Sequence, residues 1–277
     1  MADTDFVMVD ETNPEPKPEM HKVIYVVDKS GSMSGKGGAQ MLANGIRGLK
    51  EKAAPDKTTL VDVVYFSFDA VKVMQGTDLA EIDDSLLAGL VRMYTPGGGT
   101  AYMDSLAAEI KTLMADADLH DGKPAWKTAM IYIITDGLDN QSKISREELR
   151  RLIGKAENYF IIPVLVGGGA ADAMGAGADI GIPKGRNLQY TESATGSRAA
   201  YDAAAALAAR VQESWDDENA GPVFRSAAFT DEERCASQQP DLFKAPASSK
   251  RSMDQIAESD EEEEASAGPR YRSAAVA

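Results

Sequence analysis

The chain is poor in the residues most enzymes and secreted scaffolds rely on. It has one cysteine, Cys235, in 277 residues, so no internal disulfide can form. That favours a reducing, cytoplasmic setting over a disulfide-stapled extracellular one. It has two histidines, His21 and His120. Neither has a sequence partner suited to a general base beside a nucleophile, or to a zinc ligand. Basic residues are outnumbered, 29 Lys and Arg against 44 Asp and Glu, for a net charge of −15. No basic stripe marks a nucleic-acid surface. Apolar runs are too short to cross a bilayer, and the N-terminus lacks the basic start and apolar core of a signal peptide. The sequence therefore predicts neither a nucleic-acid partner nor a membrane partner.

The acidity sits mainly at the ends. Residues 1–21 carry a net −5 and residues 216–277 a net −7, leaving −3 for residues 22–215. The first segment contains Pro14, Pro16 and Pro18 among acids and reads as a loose leader. The last holds the acid run Asp260 to Glu264 and few large apolar side chains, and reads as mostly disordered. Within it, Phe229 to Glu233 has the pattern of one capped helical turn. The last segment also repeats itself: Gly221 to Ala228 is GPVFRSAA and Gly268 to Ala275 is GPRYRSAA. This is either a silent duplication or a repeated linear motif for docking or modification, with Ser226 and Ser273 as candidate positions.

Between these ends, residues 22–215 alternate strand and helix patterns. Val23 to Val27 is an apolar, largely β-branched run of the kind buried on both faces of a parallel sheet. A helix over about 38–53 follows, with Ala39, Leu42, Ile46 and Leu49 on one face. Leu60 to Phe68 and Val71 to Met74 read as a hairpin around Asp69-Ala70. Asp78 and Glu81 cap a helix reaching Leu90, with Leu79, Ile82, Leu86 and Leu90 inward. Tyr102 to Ala117 is a helix and Ala129 to Thr135 a buried strand. Ser145 and Glu148 open a helix to about Glu157, and Phe160 to Val166 is another strand. Gly167 to Gly181 has one residue too many for a dinucleotide fingerprint and reads as a turn with a short helix, Ala170 to Ala178. A short strand, Asn187 to Thr191, and a helix from Ser197 to Trp215 close the pattern. This order predicts an α/β fold: a doubly wound, mostly parallel, Rossmann-like sheet with one antiparallel edge strand and helices on both faces.

Three oxygen-bearing segments fall at predicted strand ends. Asp28-Lys29-Ser30-Gly31-Ser32 follows the first strand as D-x-S-x-S. Thr100 follows the glycine run Gly97 to Gly99, and Asp136 follows the strand ending at Thr135. Carboxyl ends of strands in open α/β sheets are where ligands bind. Taken singly, Asp28, Ser30 and Thr100 read as helix caps, and Asp136 as a turn residue. Taken together, and in this order, they resemble the metal-ion-dependent adhesion site (MIDAS) of von Willebrand factor A (vWA) domains, over about residues 22–215.

The resemblance implies a vWA fold with a metal site at Asp28, Ser30, Ser32, Thr100 and Asp136. Ser30 and Ser32 would bind Mg2+ or Mn2+ through their hydroxyls, and Thr100 directly or through water. Asp28 and Asp136 would hold metal-bound waters and orient the serines. Such a site leaves the cation under-neutralised, so it attracts a carboxylate from outside. The implied function is a non-enzymatic, cation-dependent protein–protein interaction module that grips an acidic residue of its partner. Lys29 lies beside the motif as an extra cation, and Asp139 and Asn140 flank the site as specificity or loop residues. Two other readings stay open. Gly31 to Gly37 resembles a phosphate-binding loop, which would make the chain a nucleotide-binding enzyme. It has one spacer too few, and Gly37 replaces the metal-binding hydroxyl. Alternatively, the chain is an adaptor acting mainly through its C-terminal tail.

Overall fold

The computed structural model describes residues 20–53, 57–119, 126, 128–136, 139–156, 159–167, 178, 180–214 and 227–238. The leader before Met20, His120, most of Gly167 to Gly181, Trp215, the acid run and nearly all of both repeat copies lie outside them.

Among the described residues, six strands form one sheet: β1 (Met20–Asp28), β2 (Thr58–Phe66), β3 (Ala70–Asp78), β4 (Thr128–Thr135), β5 (Tyr159–Val166) and β6 (Leu188–Tyr190). Their spatial order is β3-β2-β1-β4-β5-β6. All pairs are parallel except β2 with β3, which closes one edge as an antiparallel hairpin. The helices are α1 (Gly38–Lys52), α2 (Asp84–Met93), α3 (Tyr102–Leu119), α4 (Arg146–Lys155), α5 (Ala194–Ser214) and α6 (Asp231–Ser237). The predicted fold class is the observed one.

Side chains of β1 alternate between two cores, as the period of a strand requires. Val23, Tyr25 and Val27 join Leu42, Ile46 and Leu49 of α1, Leu87 and Leu90 of α2 and Leu207 and Val211 of α5. Ile24 and Val26 join Leu106, Ile110 and Leu113 of α3 and Leu149 of α4 on the other face. With helices on both sides, β1 has no wet face, which is why its sequence is a continuous apolar run rather than an alternating one. Its first residues lie at the opposite end from Asp28, so buried His21 is remote from the three sheet-end segments.

The structure shifts some local expectations. Asp78 caps only a short 3-10 turn, Leu79–Glu81, and Asp83 caps α2 by accepting from the Leu86 amide at 2.8 Å. Starting at Asp84 turns Leu87 and Leu90 inward and leaves Leu86 37% exposed. Beyond the expected end of the domain, α6 packs on α5 and β6. The predicted turn at Phe229 to Glu233 is present as the start of α6, with a full capping box between Thr230 and Glu233. Phe229 is buried, and Glu233 accepts both guanidinium nitrogens of Arg210 at 2.8 and 2.9 Å. The core therefore includes residues beyond 215, because one apolar anchor and one bidentate ion pair outweigh the polar composition around them.

Candidate metal centre

The strand order reverses between β1 and β4. α1 carries the chain from β1 toward β2, whereas the later connection returns it to the other side of β1 at β4. The crevice at such a reversal lies outside the carboxyl ends of the two strands. Asp28 ends β1, and Asp136 directly follows β4.

Backbone bonds pull three loops together there. The Gly31 amide donates to the Gly98 carbonyl at 3.0 Å, and the Gly97 amide to the Lys29 carbonyl at 2.7 Å. The Thr100 carbonyl accepts from the amides of Asn140 and Gln141 at 3.0 and 3.2 Å. The Thr100 amide donates to Asn140 Oδ1 at 2.9 Å. Gly98 has φ +85°, and a Cβ there would stand 2.8 Å from the Phe68 ring. Only glycine takes that conformation in that space at little cost.

The side chains then form a continuous chain of oxygens. Asp28 is fully buried; its Oδ1 accepts from the Ser30 amide at 2.6 Å and its Oδ2 from the Thr135 hydroxyl at 2.7 Å. Ser30 Oγ lies 3.0 Å from Ser32 Oγ. The Ser32 hydroxyl donates to Asp136 Oδ1 at 2.9 Å. Ser30 is buried, whereas Ser32 is exposed, so the chain runs from the interior to solvent. Asp28, Ser30, Ser32 and Asp136 are thus linked directly, and buried Thr100 is tied to them through its loop.

Neither Asp28 nor Ser30 caps α1. α1 begins ten residues after Asp28, its cap is Gly37, and no side chain caps it. Ser30 precedes a 3-10 turn, Gly31–Met33, without a side-chain capping bond. By contrast, Asp139 and Asn140 hold loops together. Asp139 Oδ2 accepts from the Met103 amide at 2.9 Å and the Ser142 hydroxyl at 2.6 Å, and Asn140 holds Thr100.

The donors suit a hard cation. Hydroxyls and carboxylates are oxygen ligands of the kind Mg2+ takes. Among the described residues no three His, Cys, Asp or Glu side chains cluster, so no thiolate or imidazole cage competes with that reading. Burial pushes the Asp28 carboxyl above its ordinary value; bonds from Thr135 and Ser30 oppose this, and the nearby Asp136 charge adds to it. A cation between the two carboxylates would relieve both the burial penalty and the repulsion.

No protein-family model matches the chain, and no curated protein matches it. Solved structures do. The von Willebrand factor type A protein from Catenulispora acidiphila aligns with a TM-score of 0.50 at 16% identity, over 70% of this chain and 43% of that one. The fold is that of a vWA domain. The PilB minor pilin from Streptococcus sanguinis aligns with a TM-score of 0.50 at 15% identity, over 72% of this chain and 63% of its own. Proximal thread matrix protein 1 from the mussel byssus, solved with a zinc-occupied MIDAS motif, is 20% identical over 69% of this chain and 46% of its own, with a TM-score of 0.48. This chain therefore spans between 43% and 63% of the length of these neighbours. At such identities the likeness shows the fold alone.

Two residues beside the candidate site were not singled out from the sequence. Lys36 Nζ lies 2.7 Å from Asp136 Oδ2 and 3.4 Å from Glu192 Oε1. Burial opposes its charge, but Asp136 and then Glu192 outweigh that and hold its pKa above the ordinary lysine value. The Lys29 side chain, in contrast, makes no ion pair among the described residues. The tyrosine hydroxyl of Tyr94 donates to the Asp28 carbonyl at 2.6 Å, fixing the end of β1. The sequence signal for Lys36 is its placement between Gly35 and Gly37, both in the left-handed region.

Proposed function

We propose that this vWA domain is a cytoplasmic, non-enzymatic protein–protein interaction module that grips an acidic residue of its partner through a bound Mg2+ or Mn2+. Ser30 and Ser32 hold the cation by their hydroxyls, with Thr100 beside them, and Asp28 and Asp136 position these groups and the metal's waters. The cation contributes an under-neutralised positive charge at the protein surface, where a carboxylate can complete its shell with a short, charge-assisted contact.

The observation that carries this reading is the oxygen chain from buried Ser30 through exposed Ser32 to Asp136, set at the topological switch of the sheet. Its open end is where a partner's carboxylate can reach. The location in the cytoplasm is supported by the single cysteine. No helix among the described residues is long and apolar enough to cross a membrane.

Calorimetric titration of Mg2+ and Mn2+ into dialysed full-length protein tests the metal, with Ser32→Ala as the control. The grip is tested by capturing partners from extract with and without chelator, then measuring binding of an identified partner to wild type and Ser32→Ala. Equal partner affinity in the two proteins sinks the metal-mediated grip.

A further inference from the structure

Asp136 is shared. Its Oδ1 takes the hydroxyl of Ser32, a proposed metal ligand, at 2.9 Å, and its Oδ2 takes the ammonium of Lys36 at 2.7 Å. A cation held by Ser32 and oriented by Asp136 therefore arrives beside a positive charge already on the same carboxylate. Two like charges on one carboxylate cannot both be held closely without repulsion.

The surroundings give Lys36 somewhere to go. Glu192, in the connection from β6 to α5, has an oxygen 3.4 Å from the same Nζ, and its side chain is 48% exposed. Lys36 sits between Gly35 at φ +76° and Gly37 at φ +70°. A Cβ added at either glycine meets nothing within 4 Å, so there is open space beside both flanks of Lys36. Both seats of the ammonium are carboxylates, one inside the site and one at its rim. Moving between them needs only rotation of the lysine stem and small changes at two permissive glycines.

Resting on the metal reading above, we propose that Lys36 is a tethered competitor of the divalent cation: its ammonium occupies Asp136 until an ion enters, then moves to Glu192. The exchange lets the fold neutralise buried Asp136 without metal. It also sets the ion's affinity below what the oxygen donors alone would give, and it makes Glu192, through its contact with Lys36, a determinant of metal binding.

The test is calorimetric titration of Mn2+ into four full-length proteins: wild type, Lys36→Gln, Glu192→Gln and the double variant, with circular dichroism to confirm the fold. Lys36→Gln keeps a polar side chain but removes the charge. Removing it should tighten Mn2+ by about tenfold, the size of effect that groups behind metal ligands exert. Glu192→Gln should weaken Mn2+ in the wild-type background and change little in the Lys36→Gln background, because the second seat matters only while the lysine must leave the first. If Lys36→Gln binds Mn2+ no more tightly than wild type, the competition is wrong and the metal reading stands. If the effect of Glu192→Gln is the same in both backgrounds, the exchange between seats is wrong. If none of the four proteins binds Mn2+, the metal reading itself falls and takes this proposal with it.

Discussion

Thr135 donates its hydroxyl to Asp28 Oδ2 at 2.7 Å, tying the last residue of β4 to the last residue of β1 across the crevice where the strand order reverses. This bond and the one from the Ser30 amide stabilise the Asp28 carboxylate, yet burial prevails and its pKa is raised. A carboxyl whose pKa is raised on folding binds its proton more tightly in the folded state. It supports the fold below the ordinary carboxylate value, and that support is lost as pH rises through the raised value.

The first prediction follows from that sign. At neutral pH, without divalent ions, ionised Asp28 is a cost to the fold. Asp28→Asn keeps the shape and an acceptor for Ser30, and should raise the melting temperature at pH 7 by about 2–4 °C, the shift that about 1 kcal/mol produces in a domain of this size. The gain should shrink as pH falls through the raised carboxyl value, where the wild-type side chain takes up its proton. The same variant should lose most of any Mg2+-induced stabilisation. Thermal melts of both proteins in chelator across this range are the check; a less stable variant at pH 7 would show that the hydrogen bonds outweigh the charge.

The second concerns metal. A ligand that binds only the folded state stabilises it by about 2.7 kcal/mol at a hundred times its dissociation constant. Mg2+ or Mn2+ should therefore raise the melting temperature by several degrees, and Ca2+ by less, because few carboxylates are available to it. Ser32 is exposed, so Ser32→Ala should remove most of this shift without lowering the metal-free melting temperature. An unchanged shift in that variant would remove Ser32 from the ligand set.

The third separates two adjacent glycines. Gly98→Ala puts a Cβ 2.8 Å from the Phe68 ring at φ +85°, and should cost about 1–2 kcal/mol. Gly97→Ala meets nothing within 4 Å and has no positive φ, and should stay within about 0.5 kcal/mol of wild type. Urea denaturation of the two variants gives the comparison. Similar costs at both positions would show that the loop repacks rather than resisting.

The fourth concerns the end of the folded core. Phe229 is 3% exposed, so Phe229→Ala should cost about 3–5 kcal/mol. Limited proteolysis of the wild-type chain should protect residues through Ser237, since α6 packs on α5 and β6. Mass spectrometry of the resistant fragment reads the boundary directly. A fragment ending near residue 215 would show that α6 is held too weakly to matter.

Much of this protein was legible in local patterns. Val23 to Val27 announced a strand buried on both faces because parallel sheets covered by helices leave no polar face. Asp28, Ser30, Ser32, Thr100 and Asp136 stood out because each follows a strand or a glycine break, where backbone geometry exposes oxygens. Those signals need only a few neighbouring residues to exist. Other features depend on meetings between distant residues. Lys36 and Asp136 are 100 positions apart, and the glycines flanking Lys36 mark the position without naming its partner. Leu87 and Leu90 face inward and Leu86 outward because the helix starts at Asp84, capped by Asp83, while Asp78 caps only the separate 3-10 turn before it. Phe229 lies in a stretch whose composition reads as tail, yet it is buried in the core cluster that includes Leu207 and Val211, its amide bonds the Gly185 carbonyl, and Arg210 holds Glu233 of α6. The alternation of strands with helices, the two-sided burial of β1 and the oxygen chemistry at strand ends are set by residues close in sequence. The cation already at the site, and the point where the core ends, are set by contacts that exist only once the chain has folded.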